Sequence, residues 1–436
     1  MLASSVRPPR VSVMNIHNTA PQLTPAEAAL VESFGERLTQ LPGDAAVMVK
    51  RDEAIERIKS GLPTRRVEAW HYTDLRRLLT KVPAYDPAAA AKKVDALIEG
   101  SSVLTLLNGT SPKKAPKIEG ATVTRLTEKL LDGSFAPALD LQGSDDAVGA
   151  FNTAFVADGW FLDIAKDATF EAPIELQNVH AGGQTHSRQA VRIDSGVTVT
   201  IVQRETGVGE ALVSSVTNLV IGDGSDVTWL IVQEQPDAVT HLGQFNAWIG
   251  KDAKLTLFVM NAGGKLVRQE IRVKTTGEGA DFKLRSINLL AGETHTDVTM
   301  VLDHAVPHTT STEVVRNVVT GKAHGVFQGR INVHQIAQKT DAKMACNTLL
   351  LSDDADFSTK PELEIFADDV ACGHGATVTE IEKTYLFYLM SRGIDEKTAR
   401  GLLVKAFVAE VIEELDNEKL VDALEAKLGD WFVAHG

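Results

Sequence analysis

Hydrophobic and polar positions change their spacing twice along this chain. From Ala26 to Leu41 and from Ala46 to Leu62 apolar residues recur at helical intervals (Ala29, Leu30, Phe34, Leu38, Leu41), and Pro87 to Glu99 continues the theme. Near residue 102 the period drops from 3.6 to 2. From there to about residue 375 the chain is a succession of short β-branched runs separated by Gly, Asp and Ser, with almost no helical pattern. From Thr379 onward helices return. Thr379 and Glu382 read as a capping box, Gly393 as the stop of that helix, and Asp395 as the cap of the next. That second helix carries Ala399, Leu402, Leu403, Ala406, Phe407 and Val411 at helical spacing, and a last one is predicted from Glu418 to Trp431.

The β-like runs repeat. Gly222, Gly250, Gly277 and Gly321 each stand five residues before an apolar position, at Val227, Leu255, Phe282 and Val326, and Ser352 precedes Phe357 in the same way. Val199, Val227, Leu255 and Phe282 follow one another at a near-constant interval of about 28 residues, the regularity of a solenoid. A β-sandwich does not require a constant turn word at a constant period, so a parallel β-helix is the expected core. The step from Phe282 to Val326 is much longer, which predicts an insertion or an extra short strand in one coil. The expected organisation is a disordered tail at 1–25, a helical domain at 26–101, the β-helix at 102–377 and a second helical domain at 378–436. Helical caps suit a solenoid, whose ends otherwise leave strand edges and apolar rungs open.

Composition narrows the function classes. The 436 residues hold 44 Lys plus Arg against 58 Asp plus Glu, a net charge of −14, which disfavours nucleic acid and anionic membrane as partners. Two cysteines argue against a disulfide framework and for a reducing, cytoplasmic setting. No apolar run reaches the roughly 18 residues of a membrane span. The opening segment, Met1 to Ala20, holds Arg7 and Arg10 and no acid, a faint echo of a transit peptide, but Pro8 and Pro9 break any helix there.

The candidate chemistry centres on Cys372 and His374. Two residues apart on a strand, a thiolate and an imidazole point to one face and offer two ligands to one metal or cluster. Cys346 precedes His374 by the coil period itself, and is therefore expected on the adjacent rung, roughly 4.8 Å away along the axis. Two or three protein ligands leave a cluster that wants four unsaturated, so the site would be open, transient or shared with a partner. Five histidines, His295, His304, His308, His324 and His334, crowd into one stretch of the β region. Their spacings fit no single rung ladder and predict turn and surface positions. Asp353, Asp354, Asp368 and Asp369 read as turn residues. No Gly-x-x-x-x-Gly-Lys-Ser/Thr loop is present to bind nucleotide.

Several longer words carry a resemblance. LEIFADDVACGHGATV with LFYLMSRGI, GLPTRRVEAWHYTDLRRLL at 61–79, HAVPHTTSTEVVRNVVTGKAHGVFQGRI and AQKTDAKMACNTLLLSDDA resemble the SufB/SufD family of Suf-type iron-sulfur cluster assembly scaffolds, and its D branch in particular. The resemblance spans about residues 26 to 415. It implies a right-handed β-helix and a non-catalytic scaffold working with a SufB-like subunit and a SufC-like ATPase subunit. His374 matches the family histidine proposed to ligate a nascent, transient Fe-S cluster at the interface with the B subunit, and Cys372 matches the neighbouring interface cysteine and is taken with it as a candidate ligand, with no cofactor held permanently. Cys346 stands where D subunits more often carry a polar residue, and is kept as a third candidate. The ATPase is expected on the helices at 379–415, where Tyr385, Phe387, Tyr388, Arg392, Leu402 and Phe407 are candidate contacts. The alternatives are a self-sufficient homodimeric scaffold and a β-helical enzyme acting on polysaccharide.

Overall fold

Strands of period-two residues wind into a right-handed parallel β-helix in the computed structural model, which describes residues 22–435. Among these residues eighteen strands form two facing sheets. The first sheet runs in the order β1 (Ser102–Leu107), β4 (Ile174–His180), β6 (Thr198–Gly207), β8 (Asp226–Glu234), β10 (Lys254–Ala262), β12 (Asp281–Leu290), β14 (Thr310–Val319), β16 (Asp341–Leu350) and β18 (Ala371–Thr379). The second runs β17 (Asp356–Ile365), β15 (His324–Val333), β13 (His295–His304), β11 (Leu266–Thr275), β9 (Val239–Ile249), β7 (Ala211–Ile221), β5 (Gly183–Ile193), β3 (Asp158–Ile164) and β2 (Ala121–Arg125). Every ladder is parallel except that of β2 with β3.

The repeat of the sequence is the stack of the structure. Val199, Val227, Leu255 and Phe282 sit in register on successive rungs of the first sheet and belong to one apolar core with the inner face of the second. The turn glycine has a steric cause at Gly277, where a β-carbon would lie 1.9 Å from the Lys251 nitrogen of the coil below. The column continues through Ser311, Ala342 and Cys372, and each of these last steps is longer than any of the three early ones, so coils are longer toward the carboxy-terminal end. The long interval from Phe282 to Val326 is therefore no insertion. Gly321 and Ser352 lead into β15 and β17, on the other sheet, so the turn word has moved to the opposite corner.

Inside, one column is polar. Asn261 donates to Asn288 at 2.7 Å, Asn288 to Asn317 at 2.8 Å, and Asn317 to the Thr348 hydroxyl at 3.0 Å. Buried amides that satisfy one another this way hold each rung in register, since a slip would leave them unpaired.

Helices cover the outer faces. Helices α1 (Pro25–Arg37) and α2 (Ala45–Lys59) pack with Leu212, Leu242 and Leu266 of the second sheet. A complete capping box between Thr24 and Glu27 starts the first of them, so Thr24 and Pro25 belong to the helix and its cap; residues 1–21 of the expected tail lie outside the described residues. A single turn, α3 (Leu75–Leu78), follows. Two helices interrupt the β region where none was expected, α4 (Leu126–Leu131) and α5 (Ala147–Phe155). The latter, AVGAFNTAF, is buried on every side, and an all-round apolar helix carries no helical stripe to read. At the other end come α6 (Lys383–Ser391), α7 (Glu396–Ile412) and α8 (Glu418–His435). Val404, Val408, Val411, Leu420, Leu424 and Leu428 lie on Val202, Leu230, Phe258 and Ile287 of the first sheet. Each fully buried side chain of this size is worth about 1.5–3 kcal/mol.

Two helical expectations fail. Residues 87–99 form no helix; their backbone serves the sheet instead, with the Leu97 amide donating to Glu175 and the carbonyls of Val94 and Asp95 accepting from Gln177 and Arg204. Thr379 ends a strand, and Glu382 caps α6 without a side-chain hydrogen bond, so there is no capping box. Asp395 does cap α7, accepting from the Thr398 amide, and Gly393 follows α6 at φ +87°.

Candidate functional site

The last strand of the first sheet pairs on one side only, with β16. In that ladder Cys372 stands over Ala342, His374 over Met344 and Ala376 over Cys346. Ala342, Met344 and Cys346 are core residues, so Cys372 and His374 occupy inward positions of the final rung. Among the described residues no strand stacks above them. His374 is consequently exposed and Cys372 half-buried, and a β-carbon added at Gly373 or Gly375 would meet only open space. Partial burial raises the Cys372 thiol above its ordinary range; the charges of Asp341 and Glu313 add to this, and the Ala342 backbone opposes it.

Cys346 is not on the His374 position. The final coil step, from Ala342 to Cys372, is two positions longer than the early repeat, which places Cys346 two places along the strand, beneath Ala376. Its thiol is wholly buried, touches the Asn317 amide at 3.4 Å and is pushed up to about 11 by burial. A neutral thiol is a poor ligand. Cys372 and His374 thus come together without the third candidate. Among the described residues no three His, Cys, Asp or Glu side chains gather as a metal-binding group. A soft thiolate and an imidazole on one face form a partial set that a second molecule would have to complete. Among the described residues no strand lies beside the outer edges of β17 and β18 at the same end, and their row of backbone groups is a template for another sheet.

Most of the candidate contacts on α6 and α7 are exposed. Tyr385, Phe387 and Tyr388 are 60%, 73% and 54% exposed, Leu402 is 46% exposed, and the Arg392 guanidinium lies 4.8 Å from the Tyr388 ring centroid. Only Leu386 of α6 is buried. Phe407 differs: it is partly buried in the cluster beneath α7, and Arg316 sits 5.2 Å over its ring. It anchors the helix to its own solenoid.

The histidines divide differently from expectation. His308 and His334 are solvent-facing, the former at φ +56°, whereas His304 is buried against Thr309 and Ser311. His295 and His324 are stacked on adjacent rungs with ring centroids 4.9 Å apart. Their separation in sequence, close to one coil, was the available signal. His295 contacts the Thr73 hydroxyl at 2.9 Å and His324 pairs with Asp356 at 2.8 Å, so the pair joins the 61–79 motif to the second sheet. The acidic pairs Asp353, Asp354 and Asp368, Asp369 are exposed turn and bend residues.

Comparison with known proteins bears on this end of the molecule. Residues 176–407 match the model described as SUF system FeS cluster assembly, SufBD core domain. The chain is similar to the iron-sulfur cluster assembly protein SufD of Escherichia coli (strain K12), 25% identical over 400 residues, which cover 85% of this chain and 90% of that protein. It is likewise similar to the iron-sulfur cluster assembly SufBD family protein slr0076 of Synechocystis, 27% identical over 405 residues with 85% and 88% covered. The chloroplastic protein ABCI7 of Arabidopsis thaliana is 26% identical over 430 residues, with 90% and 88% covered.

Proposed function

Since the chain belongs to the SufBD family of the SUF iron-sulfur cluster assembly system, we propose that it acts as a scaffold subunit whose last rung supplies Cys372 and His374 to a nascent cluster. The observation that carries this reading is the placement of two soft donors side by side on a strand with one open edge. A SufB-like solenoid would add its own edge strand to β17 or β18 by backbone hydrogen bonding, and bring the remaining ligands. With only two ligands from this chain the cluster stays weakly held. A scaffold has to release what it assembles.

The exposed patch of Tyr385, Phe387, Tyr388 and Leu402 suits a SufC-like ATPase, because aromatic side chains with an adjacent arginine are typical anchors of protein interfaces. The same open edge would also accept a second copy of this chain, the homodimeric alternative. A polysaccharide-active enzyme has no support from the family.

Co-purification tests the assignment. Expressed with B-type and ATPase subunits from the same source, the chain is expected to elute as a complex of all three, and Phe387→Asp is expected to lose the ATPase while keeping the B-type subunit. Elution as a homodimer with no B-type subunit would contradict the shared-cluster reading.

A further inference from the structure

Glu313 lies on the inner face of β14, between Ser311 and Val315 of the same face. In its column Leu284 stands below and Met344 above, and His374 ends the column one rung beyond Met344. The side chain is 0% exposed, and neither carboxylate oxygen has a hydrogen-bond partner. Glu205 makes the contrast. It too is buried on the inner face, but its Oε1 accepts from Asn178 at 2.6 Å, Ser215 at 2.7 Å and Gln203 at 2.8 Å.

A carboxylate this deeply buried, with neither oxygen in a hydrogen bond to the protein, is driven either to keep its proton or to leave the core. The groups around it offer little relief. Arg285 on β12 is committed to Glu414 of the chain beyond α7 and to the Thr312 carbonyl, and Asp281 on the same strand is a like charge. His304 of β13 spends its ring nitrogens on Thr309 and Ser311, Met344 of β16 is apolar, and Cys372 of β18 lies beyond Ala342. Burial pushes the Glu313 carboxyl up to about 8, with Ser311 and the Arg285 charge opposing it.

We propose that the proton on Glu313 latches the open end of the solenoid. Protonated, the side chain packs between Leu284 and Met344 and the last coil stays seated; ionised, it leaves the core, and β16 and β18, which stack on β14, loosen. This goes beyond the scaffold reading and does not depend on what Cys372 and His374 bind. The sign is fixed by linkage. Opening frees a carboxyl that ionises in the ordinary range, so between that range and about 8 the closed coil holds a proton that the open coil releases, and opening becomes easier as pH rises.

Cys346 is the reporter, because it is buried one column away and is the sole cysteine once Cys372→Ser is made. The thiol-labelling rate of Cys346 in the full chain is compared with that of Glu313→Gln in the same background at each pH, so that thiol ionisation cancels in the ratio. The expected ratio climbs by up to about tenfold per pH unit between pH 6 and 8 and levels off above. A ratio constant across that range overturns the proposal. Glu313→Met, which fills the site with an apolar side chain of similar length, gives the same comparison should the glutamine variant fail to fold.

Discussion

The Arg268 guanidinium meets Asp297 at 2.6 Å with both side chains wholly buried. Arg268 also lies 4.3 Å from the Trp70 ring centroid and donates to the Ala69 carbonyl at 2.9 Å, while the Thr73 hydroxyl donates to Asp297. The 61–79 motif is thereby tied to the second sheet through a charge pair that has no access to water. Asp297→Ala leaves Arg268 with Glu270, at 3.2 Å, as its remaining carboxylate and removes the acceptor of Thr73, and is expected to cost about 1–3 kcal/mol. Limited proteolysis should then cut first within residues 63–79. Unchanged protection of that segment would show that the pair does not hold it.

The buried imidazoles His180, His186, His241 and His304, with the half-buried His295, set the acid limb of stability. Burial lowers His180 and His304 to about 4 and His241 to about 3. In the unfolded chain each titrates near 6.5, so below that value the unfolded state binds protons that the folded state refuses. The contribution of these histidines is therefore complete above about pH 6.5 and falls as the pH drops toward 4, by up to about 3 kcal/mol for each. Denaturation profiles at pH 7 and pH 5 should differ strongly, and His241→Gln should flatten the difference. An equal loss in that variant would mean that His241 is protonated in the fold.

The two cysteines should separate in reactivity. Cys372 is half-buried at the open end, whereas Cys346 is wholly buried with its thiol near 11. At pH 7 one thiol per native chain is expected to react promptly and the second only on denaturation. Two fast thiols would place Cys346 at the surface and reopen its candidacy as a ligand.

What could be read from the sequence was what repeats locally. The column Val199, Val227, Leu255, Phe282 was legible because its turns keep nearly one length, and the pairing of Cys372 with His374 because residues two apart on a strand share a face. The partner of Cys346 was not, since corners grow slightly in the last coils and a constant period then misplaces a residue by two positions. The same drift hid the stacking of His295 on His324. Helix α5 was missed because a fully buried helix shows no polar face, and residues 87–99 because their alanine-rich sequence gave way to tertiary hydrogen bonds with Glu175, Gln177 and Arg204. Phe407 follows the helical pattern of α7 equally well as an anchor or as a core residue, and only packing decides.

Iron and acid-labile sulfide content of the purified complex with the B-type and ATPase subunits tests the central claim most directly. His374→Ala removes an exposed side chain from a terminal rung, so the solenoid should stay folded and the complex should form. The account predicts that this complex assembles with normal subunit ratios yet holds substantially less iron and sulfide than the unsubstituted one, and that Cys372→Ala behaves likewise. Full loading of both variant complexes would contradict it and place the cluster elsewhere.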